Sequence, residues 1–352
     1  MTEITFMGRQ AVRLENEILR VTVLKGGGHM AEVFDKRAGV SPLWIPHWES
    51  MEPSVFAKEK PARFGTDAEA KLLAGIMGHN SCLDLFGAPS VEEASCGLTT
   101  HGEASVDAYD IRELPGQLVT RLVLPLAQIR FSRSIQLHGE EVRIQESVEN
   151  LAAMDRPLAW TQHVTLGAPF LDPATTQFNA SMTRSISMAT DPGVDAYLSP
   201  GIEFTWPEAP RKDGGFADLR QMNKTAPANA FTAHLADPQC EYAYFTAFSP
   251  QFRLAFGYIW KRAEFPWLGI WEENRSRESS PWDGRTVTRG MEFGVSPFPE
   301  TRREMIERNR LMDAPTYKWL PAHGRLEAEY WISSKVAEAI PESLRWPEVR
   351  EP

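Results

Sequence analysis

The stretch Ile129-Arg130-Phe131-Ser132-Arg133-Ser134-Ile135-Gln136-Leu137, the turn His138-Gly139-Glu140 and then Val142-Arg143-Ile144-Gln145-Glu146-Ser147-Val148 decide the fold. Apolar side chains recur with period two at Ile129, Phe131, Ile135 and Leu137, and again at Val142, Ile144 and Val148, with polar or charged residues largely between them. That period places them on one face of an extended chain, and a glycine turn between two such runs reads as an antiparallel hairpin with one wet face. Leu19, Val21 and Val23 repeat the pattern near the start. Turn signals at Gly26-Gly27-Gly28, Leu114-Pro115-Gly116, Asp191-Pro192-Gly193, Asp213-Gly214-Gly215 and Asp283-Gly284 punctuate the chain at short intervals. The rhythm predicts an all-β protein, a large antiparallel β-sandwich. Helical patterning is confined to Asp67–Met77 and Glu300–Met312, expected as short excursions between strands, and the proline-dense stretch Pro200–Pro210 is expected to be a long loop.

The chain has 352 residues, 42% of them apolar, enough for a large core and, by length alone, for one domain or two. No fixed-period repeat and no Ser/Gly-rich linker divides it, so one sandwich domain over residues 1–335 is expected, with 336–352 as a tail lying on its surface. Acidic residues exceed basic ones to give a net charge of −10, and the basic residues are scattered, which leaves no electrostatic footprint for nucleic acid. There is no apolar run of about 18 residues, and Met1 to Gln10 lacks the cationic start and apolar core of a signal peptide, so a cytoplasmic protein off the membrane is expected. Cys82, Cys96 and Cys240 form no CxxC pair; reduced thiols and no cysteine-based metal site follow.

Among eight histidines, two stand in chemically rich surroundings. His101 lies in Gly97-Leu98-Thr99-Thr100-His101-Gly102, where glycine lets the backbone bend and bring an imidazole close to a ligand; a turn histidine with no chemical role fits the same residues. His163 belongs to Trp160-Thr161-Gln162-His163-Val164-Thr165, whose alternation puts Thr161, His163 and Thr165 on one face. A polar face there calls for a ligand or for a neighbouring strand to hydrogen-bond it. Glu292, in Arg289-Gly290-Met291-Glu292-Phe293-Gly294, is either the outward residue of an alternating strand or a partly buried carboxylate with the raised pKa that a general base near neutral pH requires.

Taken in order along most of the chain, these segments resemble the aldose 1-epimerase (galactose mutarotase-like) superfamily. The resemblance rests on Leu14-Glu15-Asn16-Glu17 before a strand and a glycine turn, and on Ile76-Met77-Gly78-His79 through Phe86-Gly87 to Thr100-His101-Gly102. It continues through Glu149-Asn150 ahead of Trp160 to His163, Gly290-Met291-Glu292, and a closing strand with Leu326, Ala328 and Tyr330. The intervals from His101 to His163 and from His163 to Glu292, 62 and 129 residues, follow the family's order of two histidines and a late acid. Leu166-Gly167, Phe293-Gly294 and Gly78-His79-Asn80 depart from the family's motifs, as a divergent branch would.

The resemblance implies interconversion of sugar anomers by acid/base ring opening, with Glu292 as base, His163 as acid and His101 sharing the proton at the ring oxygen. It implies a small-molecule sugar as partner, no metal or other cofactor, and a monomer or homodimer. Trp271 is the expected stacking platform, with His79, Asn80, Gln162, Glu272 and Arg289 as further sugar contacts. Arg275, Arg277, Arg285 and Arg289 cluster after Trp271; they either pair with Glu272, Glu273 and Glu278 or receive an anionic sugar. Two other functions fit the sequence. One is a sugar-binding or sensing protein without catalysis, and the other a glycosidase or lyase pairing Glu292 with Asp283 or Glu272.

Overall fold

A computed structural model describes residues 3–190 and 195–348; the turn expected at Asp191-Pro192-Gly193, the chain start at Met1 and Pro352 lie outside them. Two large antiparallel sheets face each other. The eleven-stranded sheet has at its centre, side by side, His79–Leu83, Trp160–Gly167, Val287–Gly294, Trp267–Asn274 and Ala228–Ala236. The eight-stranded sheet contains the hairpin of Ile129–His138 and Glu141–Asn150, flanked by Gln117–Leu124 and Arg325–Val336. An all-β sandwich is therefore what the alternation builds.

The main core fills the space between the sheets. Ile129, Phe131, Ile135, Val142, Ile144 and Val148 point into it from the hairpin and meet Trp160, Val164, Met291 and Phe293 from the larger sheet. In the hairpin, burial alternates along each strand, as one dry face demands. Trp160–Gly167 is instead buried at every residue. Its second face is covered by helix Ala70–Gly75 and the loops around Trp282 and Phe298, which form two smaller apolar clusters outside the sandwich.

Four short helices occur among the described residues. The two expected ones contract to Ala70–Gly75 and Arg302–Arg308. Pro53–Glu59 and Val91–Ser95 are additions; the second starts at a capping box in which Ser90 and Glu93 satisfy each other's backbone N–H groups. The stretch Pro200–Pro210 is not one long loop but carries the short strands Glu203–Thr205 and Glu208–Pro210. Prolines are compatible with strands this short because an edge can forgo a ladder donor. The closing strand runs through Val336, and beyond it Trp346 stacks on Tyr242 at 4.6 Å while Tyr244 donates to the Glu342 carbonyl at 2.7 Å.

Candidate active site

Strand register brings three expected residues together on the outer face of the larger sheet. Pairing of Gln162 with Phe293 and of Thr165 with Gly290 sets His163 opposite Glu292, and His163 Nε2 lies 3.3 Å from Glu292 Oε1. On the next strand Gly269 is the partner of Glu292, and two residues on Trp271 points to the same face. His101 arrives from a loop. Its φ of 65° is a left-handed conformation in which histidine is tolerated, its N–H is tied to the Gly87 carbonyl at 3.0 Å, and its ring lies against Phe86. The imidazoles of His101 and His163 are 5.0 Å apart between centroids, and Trp271 is 6.4 Å from His163.

These four residues line one cavity of about 490 Å³. Burial dominates its electrostatics. It pushes the Glu292 carboxyl up to about 8 and the His163 imidazole down to about 4, because either charge would lie in a poorly solvated floor. His101 is held well below the ordinary range, first by burial and then by His163 and Arg277. Its Nδ1 is buried without a hydrogen-bond partner, an arrangement native structures rarely leave unanswered. His163 Nδ1 is fixed by Thr165 Oγ1 at 3.1 Å, which leaves Nε2 for Glu292 and the cavity. Between pH about 4 and about 8 the pair therefore carries no net charge and one transferable proton.

Glycine makes room for the carboxylate. A Cβ added at Gly290 would overlap Glu292 Oε1, so Gly290→Ala is expected to displace the carboxylate and leave the ladder intact. A shift of this kind costs about 10²-fold in turnover; unchanged turnover with a normal circular dichroism spectrum would show that the carboxylate's position is not critical.

The other expected sugar contacts lie elsewhere. His79 and Gln162 face the inter-sheet core, 3.0 Å apart, with Tyr258 and Tyr330 as further partners. On an alternating strand Gln162 must face opposite to His163. Glu272 and Arg289 likewise turn from the cavity and pair with each other at 3.3 Å, with the Tyr197 hydroxyl donating to Glu272 at 2.7 Å. Asn80 shares the face of His163 but does not line the cavity; its Nδ2 donates to Ser105 Oγ at 3.0 Å and its Oδ1 is buried without a partner. Glu272 thus cannot form a carboxylate pair with Glu292, and Asp283 stands 3.9 Å from His47, outside the cavity lining. Sequence reasoning missed Phe231, Trp282 and the wall from helix Ala70–Gly75, which line the cavity together with Arg277, one of the arginines expected after Trp271. No group of three or more His, Cys, Asp or Glu that could hold a metal ion occurs among the described residues.

A two-sheet antiparallel sandwich of this size defines a fold class, and solved structures of that class match the chain. It superimposes on a candidate aldose 1-epimerase from Klebsiella pneumoniae with a TM-score of 0.66 at 12% identity, over 94% of this chain and 80% of that one. A galactose mutarotase-like protein from Clostridium acetobutylicum matches with a TM-score of 0.61 at 12% identity, over 95% and 98% of the two chains. A galactose mutarotase related enzyme from Lactobacillus acidophilus matches with a TM-score of 0.58 at 10% identity, over 94% and 99%. No family model and no curated relative matches the sequence. The chain has the galactose mutarotase-like fold. No helix among the described residues is long and apolar enough to cross a membrane.

Proposed function

We propose that the protein is an aldose 1-epimerase-like isomerase that interconverts the anomers of a free sugar in this cavity, without a cofactor. The observation that carries the reading is the 3.3 Å contact of His163 Nε2 with Glu292 Oε1 beside His101. Ring opening removes the proton of the C1 hydroxyl, puts a proton on the ring oxygen and breaks the C1–O5 bond to leave an aldehyde. Rotation about C1–C2 and closure on the other carbonyl face reverse both transfers. A pair holding one transferable proton suits this cycle, because one member gives while the other takes and the net charge of the floor stays constant.

In the empty cavity burial keeps that proton on Glu292. Sugar hydroxyls donating to the carboxylate favour its ionised form, and the proton passes to His163 across the short contact. Glu292 then acts as base on the C1 hydroxyl and His163 as acid at the ring oxygen, with His101 hydrogen-bonding there. Trp271 offers an aromatic face to the sugar's C–H surface.

The test is exchange NMR between the α and β anomers of a panel of aldoses, with and without enzyme. Cross-peaks that the protein accelerates support the reading; binding of the same sugars without acceleration would leave a sugar-binding protein on this fold. The pH profile of kcat/KM should be bell-shaped. Activity falls as pH rises through about 8, where Glu292 loses the shared proton, and as pH falls through about 4, where His163 takes up a second one. A single limb near pH 6.5 would assign the chemistry to an ordinary exposed histidine instead.

A further inference from the structure

At about 490 Å³ the cavity has room for more than one pyranose ring, and much of its lining is apolar. Besides the polar floor, Leu72, Leu73 and Ile76 from the helix region and the indole of Trp282, members of one apolar cluster, line it. Phe231 belongs to a second apolar cluster, and Trp271 packs against both clusters, so the cavity opens between two dry walls bridged by one indole. Among the described residues Arg277 is the one Lys or Arg in the lining. Its guanidinium lies over the rings of Trp282 and Trp271, at 4.6 and 5.4 Å, and pairs with Glu69 and Glu273 at 3.7 Å each. With Glu69 and Glu273 beside that guanidinium and Asp67 also in the lining, the described residues offer a phosphate or a sugar carboxylate an acidic surround.

A sugar that met this wall with hydroxyls would leave them without partners, whereas an apolar substituent would lose only its hydration. Resting on the epimerase reading for its polar end, we propose that the substrate is an uncharged reducing sugar bearing an apolar group away from C1. The sugar ring lies over Trp271, and the substituent lies against Leu72, Leu73, Ile76 and Trp282.

The test compares anomer exchange of glucose, 6-O-benzylglucose and glucose 6-phosphate at equal concentrations. The benzyl sugar should exceed glucose in kcat/KM by about tenfold or more, which is the scale of discrimination available to a well-packed apolar group, and the phosphate should fall below glucose. Leu73→Asn should erase the benzyl preference, and Leu72→Met, which keeps the wall apolar at similar volume, should retain it. Retention by the second variant separates wall polarity from damage to the fold. Equal rates for benzyl sugar and glucose, or a preference for the phosphate, would overturn the proposal. If no sugar is exchanged, quenching of tryptophan fluorescence by 6-O-benzylglucose and by glucose separates the two claims. Tighter binding of the benzyl compound keeps the wall assignment and sinks only the epimerase reading; equal binding, or none, overturns both.

Discussion

Glu292→Gln is expected to lose anomer exchange and to gain thermal stability at pH 8. Loss follows from removing the group proposed to take the C1 hydroxyl proton. General acid/base groups contribute about 10²–10⁴-fold, and the residual rate of the variant should be lower by that factor. The stability gain follows from linkage. The carboxyl ionises near the ordinary 4.5 in the unfolded chain but holds its proton to about 8 in the folded one. Its contribution to stability is thus fully present below pH 4.5 and is lost as pH rises toward 8. At about 1.36 kcal/mol per pKa unit the full loss is on the order of 5 kcal/mol, an upper value because the cavity can admit water.

Glutamine cannot ionise and escapes that loss, although its buried amide costs about 1–3 kcal/mol if it finds no partner. Melting curves of wild type and variant should therefore lie close together near pH 5 and separate steadily toward pH 8, with the variant higher. His163→Asn gives the mirror image. The imidazole's value is lowered from 6.5 to about 4, so the wild type loses stability as pH falls below 6.5 and the variant does not. A melting difference independent of pH would show that neither group is held neutral by burial. Full exchange activity in both variants on a sugar that the wild type exchanges would remove the pair from the chemistry.

The sequence exposes this site unevenly, for reasons that lie in strand geometry. Alternation alone placed Thr161, His163 and Thr165 on one face and Gln162 on the other, and the register confirms those faces. What alternation cannot tell is which face looks outward when both are buried, as they are along Trp160–Gly167. Gln162 and His79, which the resemblance puts at the sugar, stand in the core. The same ambiguity misassigned Glu272 and Arg289. Adjacent acids in Trp271-Glu272-Glu273 point to opposite faces, and only Glu273 shares the face of Trp271. The apolar wall was beyond reach because it comes from residues 72–76 and 282, whose approach to Trp271 depends on how loops cross the outer face and not on any local pattern. Arg277 was legible in part. Pairing of the arginines after Trp271 with nearby acids was one of two readings, and Arg277 with Glu273 and Arg289 with Glu272 are such pairs.

The opening hairpin also carried a signal that period-two reading passes over. Its alternation breaks at Arg133 and Glu146, charged residues at positions that face inward. The two are directly paired across the strands, and their side chains are 1% and 0% exposed. Glu146 Oε1 accepts from Arg133 Nε at 2.7 Å and from the Tyr330 hydroxyl at 2.9 Å, while Oε2 accepts from Gln162 Nε2 at 2.6 Å and from Trp160 Nε1 at 3.1 Å. Arg133 also donates to Ser81 Oγ and to the Gly28 carbonyl. Through Oε1 the carboxylate thus joins two strands of the smaller sheet, and through Oε2 it ties them to Trp160 and Gln162 on the strand that carries His163.

Glu146→Ala is accordingly expected to be among the most damaging single changes. It leaves the Arg133 guanidinium buried without its counter-ion and strips acceptors from Gln162, Trp160 and Tyr330. Breaking a buried ion pair by removing one partner costs about 3–5 kcal/mol, and urea denaturation should show a loss of that size at pH 7. The double change Arg133→Met with Glu146→Leu should cost less than Glu146→Ala alone, because it removes both charges and their desolvation penalty while refilling the volume. A double-mutant cycle between Glu146→Ala and Gln162→Ala then measures the tie between the sheets. A coupling of about 0.5–3 kcal/mol is expected for side chains sharing one network. Additive losses would mean that the site strand is held by packing alone and that the carboxylate serves only Arg133. Since the same strand sets the 3.3 Å approach of His163 to Glu292, a coupled network predicts that Gln162→Ala lowers anomer exchange without touching any residue of the cavity.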